Sequence, residues 1–192
     1  EADGPAEIPI VHLPDWETLP YDSFSPHEDI TSERLKALSQ LDDLRRGLLI
    51  LPVQTPAHRL PPREHLDGQR FVLKVGDEFD IHRERRRLEA SGYHSVDTVR
   101  EHGEFAVRGA ILDVFPMGSN QPLRVELFDT EIESLRAFDP DSQRTITKVE
   151  SVTLLPAREI PLTESGIACF RQNWHETFEG NPRECSIYQD VS

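Results

Sequence analysis

In the run Leu123-Arg124-Val125-Glu126-Leu127-Phe128 the side chains alternate, so Leu123, Val125 and Leu127 face a core while Arg124, Glu126 and Phe128 face away from it. An aromatic ring therefore sits on the charged side. Arginine and aromatic residues dominate the energetic centres of protein interfaces, and the chemistry this face could do is docking to another protein. On a straight strand Arg124 and Phe128 lie roughly 13 Å apart, within one patch. Arg124 is expected at an exposed position, where reversal to Glu leaves folding nearly intact. A second reading stays open on pattern alone: Phe128 ends the strand and tucks under the next turn.

Other residues of chemical interest lack the spacing their chemistry needs. No GxxxxGK[ST] or GxGxxG is present, so no nucleotide site is expected. His27-Glu28-Asp29 and the group Glu101, His102 and Glu104 have neither a helical His pair nor Cys/His zinc spacing, and Cys169 and Cys185 stand far from any CxxC pattern. Glu131 and Glu133 fall on one face of a predicted strand, as acid/base catalysis would want, but read more simply as a solvated edge. Neither catalysis nor a bound metal or cofactor is expected. The run HRERRR at His82 to Arg87 is either a phosphate-facing patch or, as such runs more often are, the solvated side of an amphipathic helix whose apolar side carries Phe79, Ile81 and Leu88.

The chain has 192 residues and a formal net charge of −14, which disfavours nucleic acid as a partner because Lys and Arg supply most phosphate affinity. From Glu1 to Ile30 there are eight Asp or Glu and no Lys or Arg. No apolar run approaches the ~20 residues of a membrane span, and the first residues lack a signal-peptide pattern, so a cytoplasmic protein is expected.

Three regions supply the elements. From Ile8 to about Gln69 the pattern is α/β: a strand at Ile8 to Leu13, a Pro- and Asp-rich loop, a helix from Thr31 to Leu44 capped by Thr31 or Ser32, and the unalternating strand Leu48 to Val53, which reads as a buried parallel strand. From about Arg70 to Leu155 the pattern is α+β. The strand FVLKVGD is followed by a helix Asp80 to Ala90 closed by Gly92, then strands at His94 to Val96, Phe105 to Val107, Ala110 to Phe115, Leu123 to Phe128, Ile132 to Phe138 and Ile146 to Leu154. Arg108-Gly109 is a predicted bulge and Asp129-Thr130 a tight hairpin turn. Beyond Pro156 a helix from about Thr163 to Phe178 carries Ile167, Phe170 and Trp174 at helical spacing. With no initiator Met and partial α/β units at both ends, the chain reads as an excised fragment.

The ordered strings DWETLPYDSFSPHEDITSERL, GLLILPVQTP, GEFAVRGAILDVFPMGS, RVELFDTEIESLRAFDPDSQRT and LLPARE resemble the amino-terminal part of the bacterial transcription-repair coupling factors. The resemblance runs from about Val11 to Ser192. The excinuclease helicase subunit UvrB carries looser versions, and the segment Trp16 to Asp22 favours the coupling factors. The resemblance implies a partial helicase-like (RecA-like) α/β subdomain without an ATP site over 1–69, an inserted antiparallel-sheet α+β middle domain that binds UvrA over 70–155, and the start of a second α/β subdomain over 156–192. It implies a family that recognises RNA polymerase stalled at a DNA lesion, displaces it with a separate carboxy-terminal translocase using ATP and Mg, and recruits UvrA to begin nucleotide excision repair. The family's UvrA-contacting positions fall on Arg108, Arg124 and Phe128, with the arginines facing an acidic partner surface. UvrB-like sequences carry a second Arg and an acid where this chain has Ala106 and Ala110. The alternative is a truncated piece of a UvrB-type helicase subunit.

Overall fold

The computed structural model describes residues 8–19, 24–41, 43–160 and 162–191. The acidic start Glu1 to Glu7 and the Pro20 to Ser23 part of the Pro-rich loop lie outside the described residues. The fold is mixed α/β, and the chain divides into two compact units, residues 1–159 and 160–192.

In the first unit β1 (Ile10–His12) pairs in parallel with β2 (Leu48–Ile50), the two joined through α1 (Glu28–Leu41). This helix starts a turn earlier than the sequence suggests. The His27 carbonyl accepts from Thr31 N at 3.1 Å, and Glu28 and Asp29 place two carboxylates in the first turn, where the helix dipole favours them. Ser32 is therefore no cap; it is buried, and its hydroxyl accepts from Gly118 N at 2.8 Å. Leu35 and Leu38 face the core as expected. The run Leu48 to Ile50 is parallel but not buried, each residue being at least 41% exposed. Parallel strands are buried when helices cover both faces, and among the described residues this sheet has two strands with α1 packed on β1.

After α2 (Arg63–Gln69), β3 (Phe71–Lys74) leads to α3 (Ile81–Ala90). Asp80 caps α3, its carboxylate accepting from His82 N and Arg83 N at 2.9 and 3.0 Å. Gly92 ends it with φ of 94°, and a Cβ there would sit 2.6 Å from the Arg158 side chain, so the turn requires glycine on both counts. The HRERRR run lies on α3 with His82, Arg83, Arg85, Arg86 and Arg87 exposed, while Leu88 enters the core. This is the solvated helix face: Arg85 pairs with Glu89, and Arg87 lies 3.8 Å from the centre of the Phe71 ring.

The main sheet runs β4-β5-β6-β7-β8-β9, formed by His94–Ser95, Glu104–Arg108, Ile111–Val114, Leu123–Phe128, Glu131–Phe138 and Thr145–Val149. Every pairing from β5 to β9 is antiparallel. The predicted strand Ile146 to Leu154 is two strands. Glu150 breaks it, its carbonyl accepting from Val75 N, and β10 (Ser151–Leu154) turns away to pair with β3 in a separate ribbon. The bulge expected at Arg108-Gly109 is also elsewhere: Arg108 pairs in register with Ile111, and Gly109, with φ of 63°, forms the hairpin turn with Ala110. One irregularity falls in β8, where Glu126 opposes Ser134 and Leu127 opposes Ile132, leaving Glu133 as the extra residue, and a second falls in β9, where Ala137 opposes Thr147 and Phe138 opposes Thr145. Because the extra residue is in β8, the alternation of β7 is unbroken.

One face of this sheet forms the core, with Phe105, Leu112, Val114, Leu123, Val125 and Leu135 buried. A buried joint ties the α/β part to the segment that follows β10. Arg34 of α1 is 1% exposed and donates through Nε and Nη2 to the two oxygens of Glu159 at 2.6 and 3.1 Å, while Trp16 Nε1 donates to Glu159 Oε1 at 3.1 Å. The Arg34 guanidinium also donates to the Pro14 carbonyl and lies 4.6 Å from the Trp16 ring centre. In the second unit Thr163 caps α4 (Glu164–Thr177), and Phe170, Trp174, Phe178 and Tyr188 of α5 (Ser186–Val191) gather around the buried Trp174.

Breaking a buried pair from one side typically costs about 3 to 5 kcal/mol, so Glu159→Ala, which strands the Arg34 charge, is expected to lower unfolding free energy by that order in urea titration. A second expectation concerns acid. Hydrogen bonds from Arg83 N and His82 N hold the Asp80 carboxyl below its ordinary range, so its contribution is fully present above about pH 4, the unfolded value, and is lost as pH falls through the lower folded value. Asp80→Ala should therefore melt below the wild type at pH 7, with the gap closing in acid by circular dichroism, whereas Asp80→Asn, which keeps a capping oxygen, should stay near the wild type at pH 7.

A candidate protein-docking face

The second face of the six-stranded sheet is built in register rows. Ala106, Asp113, Arg124, Arg136 and Lys148 stand opposite one another across β5 to β9, and the adjoining row holds Arg108, Ile111, Glu126 and Ser134. Phe128 follows at the hairpin end opposite Glu131, where Asp129, with φ of 58°, turns the chain.

Asp113 organises this face. Its side chain is fully buried, and Arg124 grips it with two parallel hydrogen bonds, Nε to Oδ1 at 2.7 Å and Nη2 to Oδ2 at 2.9 Å. Arg108 Nη2 donates to Asp113 Oδ2 as well. A buried carboxylate is stable only when paired, and two guanidinium groups here pair one. The Asp113 bonds also hold the Arg124 guanidinium more firmly protonated than usual. Arg124 lies 4.9 Å from the centre of the Phe138 ring, which packs with Val99, Ala106 and Phe115 in a small second core on this side of the sheet. Lower on the face Glu126 accepts from Ser134 Oγ and pairs with Arg136 at 3.4 Å.

The predicted site residues thus stand on one face, and two of them meet on one carboxylate. Phe128 is 74% exposed, so it is not tucked under the turn. Arg108 is half exposed. Arg124 departs from expectation: its side chain is 18% exposed and committed to Asp113, because a strand residue facing away from the main core still meets its cross-strand neighbours. A Glu at this position would set a second carboxylate beside Asp113, so its reversal disturbs the fold. Ala106 is buried under Val99, Phe115 and Phe138, which leaves that position nothing to offer a partner. Ala110 is exposed in the turn.

Asp113 and Phe138 escaped the sequence reading. The signal was an acid inside the apolar run Ile111-Leu112-Asp113-Val114-Phe115, where a buried carboxylate needs a cation nearby. His102 bridges Asp29 Oδ1 at 2.7 Å and the Ser119 carbonyl at 2.8 Å with its ring tilted against Phe115 at 4.0 Å between centres, and burial pushes the pKa of the Glu28 carboxyl up. Among the described residues no group of three or more His, Cys, Asp or Glu side chains is placed to hold a metal, and no helix is long and apolar enough to cross a membrane.

Residues 71–160, which contain every member of this face, match the UvrB interaction domain. The chain is 51% identical over 95% of its length to the transcription-repair-coupling factor of Escherichia coli K12, and 49% identical over 94% to that of Haemophilus influenzae. The protein of that name from Bacillus subtilis is 34% identical over 69% of the chain. The chain spans about a sixth of the length of the first two, 16% of each. A domain match that encloses this polar face, and identity near one half across almost the whole chain, place it in the transcription-repair-coupling factor family.

Proposed function

We propose that this chain is the UvrA-recruiting, non-catalytic part of a transcription-repair-coupling factor, and that the face carrying Arg108, Arg124 and Phe128 is where UvrA docks. The observation that carries the reading is Phe128, a large aromatic ring 74% exposed on the same sheet face as two arginines gathered on one buried carboxylate, inside the stretch matching the UvrB interaction domain. An exposed ring sharing one patch with guanidinium groups is the composition of a binding hot spot. In the two central rows Arg108, Arg124, Arg136 and Lys148 outnumber Asp113 and Glu126, which suits an acidic partner surface on UvrA.

In this reading residues 70–155 act as the docking domain, 1–69 belong to a helicase-like subdomain without an ATP site, and 156–192 begin the next. ATP and Mg, contact with RNA polymerase and DNA, and the displacement of stalled polymerase belong to other parts of the full-length protein, which acts in the cytoplasm. The relatives quoted above all bear the coupling-factor name, which weighs against a UvrB-type helicase fragment.

Phe128→Ala is the clean test, because the ring lies outside the core. Its melting temperature should stay at the wild-type value while affinity for purified UvrA falls by about 30-fold or more, as for a hot-spot side chain of ~2 kcal/mol. Unchanged affinity would overturn the reading. Arg124→Glu should differ in kind, lowering stability by about 3 kcal/mol as well as weakening binding, since it leaves Asp113 facing a second carboxylate.

A further inference from the structure

We infer that Asp113, which presents no surface of its own, is a positioning residue for the docking face: it holds the Arg108 and Arg124 guanidinium groups in their docking geometry before any partner arrives. The inference rests on the docking role proposed above. Both oxygens of Asp113 are engaged, Oδ1 by Arg124 Nε, and Oδ2 by Arg124 Nη2 and Arg108 Nη2. The arginines come from different strands, β5 and β7, with Asp113 on β6 between them, so one buried carboxylate on the central strand sets the spacing of two cations on its neighbours.

The Phe138 ring under Arg124 limits that side chain further. The N–H groups outside the Asp113 bonds, namely Nη1 and the second Nη2 hydrogen of Arg124 and Nε, Nη1 and the second Nη2 hydrogen of Arg108, are presented from a fixed base. A free arginine on a strand loses several rotatable bonds of freedom when it binds; one already clamped has lost much of that freedom on folding. Asp113 also changes what the partner meets. Asp113 occupies the Nε–Nη2 edge of Arg124, so a carboxylate of UvrA is left the Nη1–Nη2 edge of that guanidinium, together with the remaining N–H groups of Arg108 and the Phe128 ring.

The test combines one variant with one measurement on the wild type. Asp113→Asn keeps the shape and one oxygen acceptor but removes the charge that holds two guanidinium groups. Its affinity for purified UvrA, per folded molecule by circular dichroism, should fall roughly tenfold, the scale expected when two long side chains must be ordered on binding. The same substitution in an Arg108→Ala background should have a markedly smaller effect, because part of what Asp113 positions is gone. A purely structural role would give equal effects in both backgrounds. In the unmodified chain, nitrogen-15 spectra of the arginine side chains should show slowed guanidinium rotation for Arg108 and Arg124 in the absence of UvrA, against fast averaging at the exposed Arg86; this holds even where Asp113→Asn fails to fold. Equal effects in the two backgrounds, or an Arg108 guanidinium rotating as freely as Arg86, would overturn the inference. If Phe128→Ala weakens binding and Asp113→Asn does not, the docking role stands and the positioning role falls; if Phe128→Ala has no effect, both fall.

Discussion

A carboxylate with no exposed surface has to find cations within reach, and the polar face of the sheet is arranged around how Asp113 does so. Each neighbouring strand contributes one arginine, and the second small core of Val99, Ala106, Phe115 and Phe138 closes against the same site. The main core lies on the opposite face, where Phe105, Leu112, Val125 and Leu135 are buried. The sheet is therefore packed on one side, and on the other it is held by an ion cluster and a small aromatic core. That division leaves Phe128, at the far end of β7, as a large ring with little to cover it.

The rest of the first unit supports the sheet. The Arg34–Glu159–Trp16 joint fixes the segment after β10 to α1, and Tyr93, buried with its hydroxyl donating to the Leu155 carbonyl at 2.8 Å, fixes the same segment to the end of α3. Both joints lie among groups away from Arg108, Arg124 and Phe128. Changes in the joints should thus act on stability, and changes at Phe128 on binding, which is why the two kinds of effect can be measured apart.

Much of this was legible in the sequence because strand alternation is a backbone property: Leu123, Val125 and Arg124 fall on the sides that period two assigns them. The end of α3 at Gly92 and the tight turn at Asp129 were readable for the same local reason, while Asp80, read as the first helical residue, is the cap that precedes it. What was not readable depends on partners distant in the chain. The start of α1 is set by His27 rather than Thr31, the bulge belongs to β8 because of its pairing with β7, and Ile146 to Leu154 divides because Glu150 meets Val75. The exposure of Leu48 to Ile50 reflects which helix covers which strand. On the polar face the choice of Arg124 and Phe128 came from alternation, whereas the pairing of Asp113 with two arginines required seeing β5, β6 and β7 side by side.

The central claim is that the polar face of the six-stranded sheet is where UvrA binds, and the direct measurement is an amide map of the nitrogen-15-labelled chain with and without purified UvrA. Changes are expected to concentrate at Arg108 to Asp113 and at Arg124 to Arg136, the strands and turns that carry the two rows and the Phe128 hairpin, with the exposed helix face of Arg83 to Arg87 unaltered. Changes centred on that helix, or on the exposed strand Leu48 to Ile50, with the β6–β8 amides unmoved, would contradict it.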